Sequence, residues 1–360
     1  MSKTETGEAC APKPRFNLIT AIKDLGVARL IILAFVVLLF VVAYAKGLGI
    51  QGLISDSIVR VGMNGVLILS MLPAVVCGVG MNFGLPLGIL SGLLGGILTI
   101  NMNLTGWTGF LTALLISVPI AVIVGLLYHM VLDKVRGEEM MVGTYLAYAA
   151  VFGMSIFWML APIKNPKLIF AVGGKGLRYT ISMTDTFGKV LNNFLAFRIG
   201  SITVPTGLIL FWLLLCLLVY LFLRSKTGLA MLATGSNPAY AVSSGINVGN
   251  MKRIGVVMST VLGAVGIIVF AQSYGFMQLY TAPQTAAFPA IAAILIGGAS
   301  LRKASISNVI IGAILFQTLL TVAPPVTQAL MEGSEISEIA RVMISNGMIL
   351  YALTRATGGR

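Results

Sequence analysis

The chain has 360 residues, of which 58% are hydrophobic and only 10% charged, with a net charge of +13. A soluble domain carries roughly 25% charged residues, so a water-soluble fold is excluded, and the dispersed bases form no compact basic face for nucleic acid. Three cysteines and one histidine, without ligand spacing, predict neither a disulfide nor a metal centre.

Residues 1–27 are polar and basic, and no small-residue cleavage site follows them. The first apolar run is therefore expected to stay in the membrane rather than to serve as a leader. Ten runs approach the ~20 residues that cross a bilayer: about 28–45, 58–80, 84–102, 108–132, 140–161, 206–223, 254–272, 286–301, 304–322 and 338–354. This predicts an all-α polytopic membrane protein of about ten spans, some of them broken. Residues 28–354 form one transmembrane domain between cytoplasmic tails 1–27 and 355–360. With both termini inside, the inner segments hold 15 of the 24 lysines and arginines, and the outer loop 323–337 holds Glu332 and Glu335 but no base. The net charge is thus mostly a statement about topology.

No Asp or Glu lies near the middle of an expected span. Such a charge costs at least ~2.5–3.5 kcal/mol on insertion scales, and proton-coupled carriers usually keep one because they need the titrating group. Proton coupling is therefore not expected, although a sodium site built from carbonyls and hydroxyls stays open. There is also no G-x-x-x-x-G-K-[ST] phosphate loop, since the GGKG at 173–176 lacks the spacing.

In chain order, the first irregular place is GVGMNFGLPLG, Gly78 to Gly88, where four glycines and Pro86 interrupt an apolar run. Gly88, Gly92 and Gly96 then recur every fourth residue, which lets another helix approach closely. His129 falls near the inner end of a span and is expected to be packed or solvated. The outer segment 162–205 has apolar residues at Phe187, Val190, Leu191 and Phe194, which predict a short helix to about Leu195 capped by Thr184 or Asp185. The second irregular place is TAPQTAAFPAIAAILIGG, Thr281 to Gly298. Short or Gly/Pro-interrupted spans in two halves often mark a solute pathway, and unpaired backbone at depth needs protein or water to cover it. Asn82, Phe83 and Gln284 are therefore the leading candidates for wall residues, followed by Gln272 and Asn64. Each of their polar side chains could instead be satisfied by neighbouring backbone.

Between the sixth and seventh spans lies the polar inner loop 224–253. Ser236 and Asn237 offer cap oxygens, Pro238 suits a first helical position, and Ala239 to Ser244 make about two turns that Gly245 ends. So short a helix is marginal alone and needs a surface, which could be its own protein or a partner.

From Thr227 to Val248 the sequence reads T-G-L-x-x-x-A-x-G-S-N-P-x-x-A-x-x-S-G-I-N-V. This closely resembles the coupling segment of importer-type ABC permeases that handle monosaccharides, nucleosides and branched-chain amino acids. AIAAILIGGASL, Ala290 to Leu301, and IGSITVPTG, Ile199 to Gly207, resemble two further signatures of that family in the right order. The resemblance implies an ATPase-coupling site at Ser236, Asn237, Pro238, Ala239, Tyr240, Ala241 and Gly245. It also implies an identical or homologous second permease, two ATP-binding subunits, an extracytoplasmic solute-binding protein and a prokaryotic cell membrane. ATP and magnesium would then sit on the partner ATPase, with no cofactor and no catalytic residue in this chain.

The subgroup pattern is mixed. Asn82 and Gly84 match the N-[IL]-G-x-E-G turn of nucleoside-type permeases, but Pro86 replaces its Glu. Glu139, Leu146 and Tyr148 echo their E-V-I-x-T-x-x-L-N-Y helix, with Ala147 in place of Asn. The late GGAS resembles the sugar and amino-acid branches. The expected function is the permease subunit of an ATP-driven importer for a small neutral solute, a monosaccharide or nucleoside. The alternatives are an ATP-independent carrier or facilitator and, behind it, a membrane scaffold.

Overall fold

The computed structural model describes residues 27–135, 137–169 and 176–330, with isolated helical positions at 339, 342–343, 346–347 and 350. Six of its helices are long and apolar enough to cross a membrane, and three shorter apolar helices accompany them. The tenth expected span, 338–354, lies outside the described stretches, as do Glu332 and Glu335. Among the described residues, the other nine expected spans are each represented by helix.

Helix α1 (Val27–Ala45) buries Ile32, Val36, Leu39 and Ala43 along one stripe at helical spacing and leaves the rest of its apolar surface outward. Helix α2 (Ile50–Leu69) runs through Ser70 into α3 (Met71–Val76), giving a 27-residue span that begins eight residues before the expected 58. An irregular stretch precedes α4 (Leu85–Asn101), and α5 (Gly106–Lys134) and α6 (Glu139–Leu160) follow as a pair. After the outer segment come α8 (Thr206–Arg224), the inner-loop helices α9 (Lys226–Ser236) and α10 (Pro238–Ser243), and the long α11 (Val248–Tyr274). Short α12 (Ala282–Thr285) leads into α13 (Ala287–Ile296), and α14 (Ile306–Leu330) completes the described helices.

These helices divide by environment. Spans α2–α3, α11 and α14 are mostly buried in the protein, whereas α5, α6 and α8 bury under a third of theirs. The outer three present Leu115, Ile123, Ile156, Leu214 and Leu221 outward. Lipid accepts such side chains as readily as a protein core does, so exposure here is not a fault but the bilayer contact. Within the core, α4 lies close against α11. A Cβ at Gly88 would overlap the Thr260 carbonyl, and one at Gly92 would meet the Ala264 carbonyl and Ile267. The four-residue glycine repeat is thus a packing seam.

The outer segment departs from the predicted helix. Residues Thr184–Gly188 form a turn in which the amides of Thr186 and Gly188 both donate to the Met183 carbonyl. Lys189 then adopts φ 56°, so the helix α7 spans only Val190–Asn193. Neither Thr184 nor Asp185 caps it. The surrounding chain makes two small ribbons that the all-α expectation did not contain: β1 (Thr180–Ser182) pairs antiparallel with β4 (Phe276–Gln278), and β2 (Phe197–Ile199) with β3 (Ile202–Val204). A second departure is α14, which continues through Pro324 and Pro325 where an outer loop was expected. Membrane helices tolerate proline because neighbouring groups can satisfy the backbone it frees.

Candidate functional site

At the inner end, so named from its basic loops, the turn between α8 and α11 is built as two helices rather than one. Ser225 Oγ accepts from the Gly228 amide at 3.2 Å and opens α9. Asn237 ends α9 through its amide to the Ala233 carbonyl (3.0 Å) and opens α10 by accepting from the Tyr240 amide (3.0 Å). Its extended backbone (φ −151°) suits a cap. Ser236 does not share that role: it is still helical, and its hydroxyl donates to the Ala233 carbonyl at 3.1 Å. Pro238 fills the first position, where no N–H is required.

The far end of α10 closes as a Schellman motif. The Ile246 amide reaches the Ala241 carbonyl (2.9 Å) and the Gly245 amide the Val242 carbonyl (3.0 Å), with Gly245 at φ +76°. The resulting short rod buries Ala241 completely and leaves Tyr240 and Val242 63% exposed, with Asn237, Pro238 and Ala239 also outward. It therefore presents a free face and is anchored by one small side chain. Helix α9 was hidden in the sequence by Gly228 and Gly235, which lower helix propensity. Both are needed for contact: a Cβ at Gly228 would overlap the backbone of Phe222 and Leu223, and one at Gly235 the Val76 carbonyl.

That last contact connects the loop to the first irregular place. Gly78, at φ +82°, sits with its Cβ position 2.9 Å from Gly235 Cα, so α9 rests directly on the break after α3. Within the break, Asn82 is 2% exposed. Its Nδ2 donates to Ser259 Oγ on α11 at 2.7 Å, and its Oδ1 accepts from the Gly84 amide at 3.0 Å, just ahead of α4. Phe83 meets Phe288 of α13 edge-on, with centroids 6.1 Å apart. The two irregular places, distant in sequence, are therefore in contact. Gln284 lies half-buried on α12, and its side chain has no hydrogen-bond partner among the described residues.

The other two candidates occupy different surroundings. Gln272, fully buried at the outer end of α11, accepts from the Leu191 amide at 3.2 Å and donates to Asn192 Oδ1 at 3.1 Å. Its side chain ties α7 down. Asn64 is half-buried and donates to Gln317 Oε1 on α14 at 3.3 Å.

Sequence reading missed Gln317, Thr321, Asp56 and Arg60. Asp56 escaped because α2 starts eight residues early and takes it into a span, whereas Arg60 already lay within the expected span and carried no local signal of a cavity. Asp56, Arg60 and Thr321 border an outer cavity of about 760 Å³, together with Lys189, Asn192 and Arg198. A second cavity of about 540 Å³ lies beside α10, bordered by Val242, His129, Asp133 and the ion pair of Lys252 with Glu139 (3.5 Å). His129 is packed, at 5% exposure. No group of three or more metal-ligating side chains occurs among the described residues.

No solved structure matches the chain. Among curated proteins it is similar to the autoinducer 2 import system permease protein LsrC of Yersinia enterocolitica, 31% identical over 178 residues, 47% of this chain and 46% of that protein. It is also similar to LsrC of Yersinia pestis, 32% identical over 178 residues, covering 47% and 48%. The fructose import permease protein FrcC of Rhizobium meliloti is 32% identical over 121 residues, 33% of each chain. The matched region thus spans less than half the length of these relatives. The family pattern described as branched-chain amino acid transport system / permease component matches residues 18–353, nearly the whole sequence, and the chain belongs to that family.

Proposed function

We propose that this chain is the membrane-spanning subunit of an ATP-driven importer for a small neutral solute, and that the solute is a monosaccharide. The relatives named for autoinducer 2 and fructose import favour a sugar over a nucleoside. The observation that carries the reading is the inner rod α10, which holds Tyr240 and Val242 outward while its neighbour α9 rests on the break at Gly78. A partner pressing on α10 would move α9, and with it the start of α4 and the Asn82–Ser259 bond to α11. The partner is an ATPase pair that holds ATP and magnesium. A second permease copy and an extracytoplasmic binding protein complete the complex in a bacterial cell membrane. Phe83 and Gln284, both half-buried, form the inner wall of the pathway around the Phe83–Phe288 contact, with the buried Asn82 behind them holding α11 to the start of α4.

The test is gentle purification of the tagged chain from native membranes and identification of what accompanies it. A stoichiometric ATPase that is lost in a Tyr240→Glu variant of normal thermal stability supports the reading. A chain that arrives alone and still moves solute in vesicles without ATP makes it a secondary carrier and defeats the reading.

A further inference from the structure

Asp56, Arg60 and Asn64 stand four residues apart on α2 and form a polar stripe on one face of a membrane-spanning helix. Asp56 and Arg60 are exposed and Asn64 half-exposed on this chain, and neither charged group has an ion-pair partner among the described residues. Charged side chains inside spans face a water-filled cavity or other protein, not acyl chains. Helix α14 answers the stripe with Gln317, already bonded to Asn64, and with Thr321 one turn on.

One turn beyond, Pro324 and Pro325 have no N–H to return to the carbonyls of Leu320 and Thr321. Free backbone acceptors at membrane depth are tolerated where they meet protein or enclosed water. Leu320, Thr321 and both prolines border the 760 Å³ outer cavity, and so do Asp56 and Arg60. That volume is ordinary for a small-molecule site. Its lining combines a charged donor (Arg60) and a charged acceptor (Asp56) with the prolines and Tyr274, while Asn192 is already bonded to Ser273 and Gln272. Each hydroxyl of a polyol both gives and takes a hydrogen bond, so such a wall fits a neutral polyhydroxylated molecule.

We infer that this cavity is the outer vestibule in which the solute first leaves bulk water, and that Arg60 and Asp56 determine its specificity for a polyol of monosaccharide size. The inference rests on the importer reading and gives that pathway its outer end. The cavity's other two bases, Lys189 and Arg198, suit an acidic protein surface as well, so the experiment separates the two.

Asp56→Cys, Arg60→Cys and Thr321→Cys are made singly in the full chain. In intact cells each is exposed to a membrane-impermeant maleimide in a Cys10→Ser background, the cysteines among the described residues, Cys77 and Cys216, being buried. Labelling at all three, slowed by at least one of D-fructose, D-ribose and D-glucose, is the expected result. Labelling blocked at all three overturns the vestibule, because the stripe is then covered by protein or lipid. Labelling that none of the sugars slows overturns the polyol assignment.

For a sugar that protects, Asp56→Asn and Arg60→Gln should raise KM for uptake about tenfold, as for loss of a charge-assisted hydrogen bond. An unchanged KM combined with weakened binding-protein affinity would mean a docking surface and overturn the inference. Wild-type uptake that needs no ATP would defeat the importer reading while leaving labelling and protection in place.

Discussion

Gly235 and Gly245 belong to one loop but are glycine for different reasons. At Gly235 the obstacle is contact, since any Cβ would strike the Val76 carbonyl. At Gly245 nothing lies within 4 Å, and only the positive φ of 76° matters. Gly235→Ala should therefore cost about 1–3 kcal/mol, as overpacking does, and lower the thermal midpoint of the detergent-solubilised protein. Gly245→Ala should cost about 1–2 kcal/mol for a left-handed residue, and Gly245→Asn should recover most of it because Asn tolerates that conformation. Equal effects of alanine and asparagine at 245 would refute the conformational account. The cap at Asn237 was legible from its residue type followed by proline. Ser236 carried the same chemical signal, yet its backbone stays helical and its hydroxyl turns back to α9. Which of two adjacent oxygens caps a helix depends on where the preceding helix stops, and that is a matter of packing.

Elements show the same division. The first irregular place was readable from its glycines, of which Gly78 and Gly80 take positive φ; the second is helical at Ala282–Thr285 and Ala287–Ile296, with its break at Ala286. The exposure of α10 was not readable. Ala241, a residue implied to contact a partner, is its buried anchor. Ala241→Glu should consequently lower both thermal stability and ATPase association, whereas Tyr240→Ala and Val242→Ala should weaken association and leave the thermal midpoint unchanged. Co-purification and a melting curve on the same samples decide this. Helix α14 gives a further prediction. Pro324→Ala with Pro325→Ala returns N–H donors to the carbonyls of Leu320 and Thr321, and an interior proline costs ~3 kcal/mol in an ordinary helix. The double variant should melt no lower than wild type, and if the freed carbonyls serve the solute, uptake should slow. A large drop in stability would mean the surroundings are built around the kink.

Across the described residues, the contacts that join the inner end to the membrane core include Gly235 on Gly78, Asn82 to Ser259, and Lys252 to Glu139. The last is part-exposed and contributes about 1 kcal/mol or less to stability, so its importance would lie in holding α11 to α6. Glu139→Lys and Lys252→Glu alone should reduce solute moved per ATP with little change in melting, and the double swap should restore it. Failure of the swap to rescue would make the pair incidental.

The polytopic class, the approximate places of the six described spans and three shorter apolar helices, and the inner loop with its capped rod follow from composition, apolar run length and the Asn-Pro…Gly spacing. These are local properties, because a bilayer demands apolar length and a helix end demands its own donors and acceptors. The meeting of the two irregular places through Phe83 and Phe288, the seating of α9 on Gly78, and the assembly of Asp56, Arg60, Gln317 and Thr321 around one cavity needed the folded chain. Each joins residues far apart in sequence, and it is helix packing, set by where glycines admit close approach, that decides which of them touch.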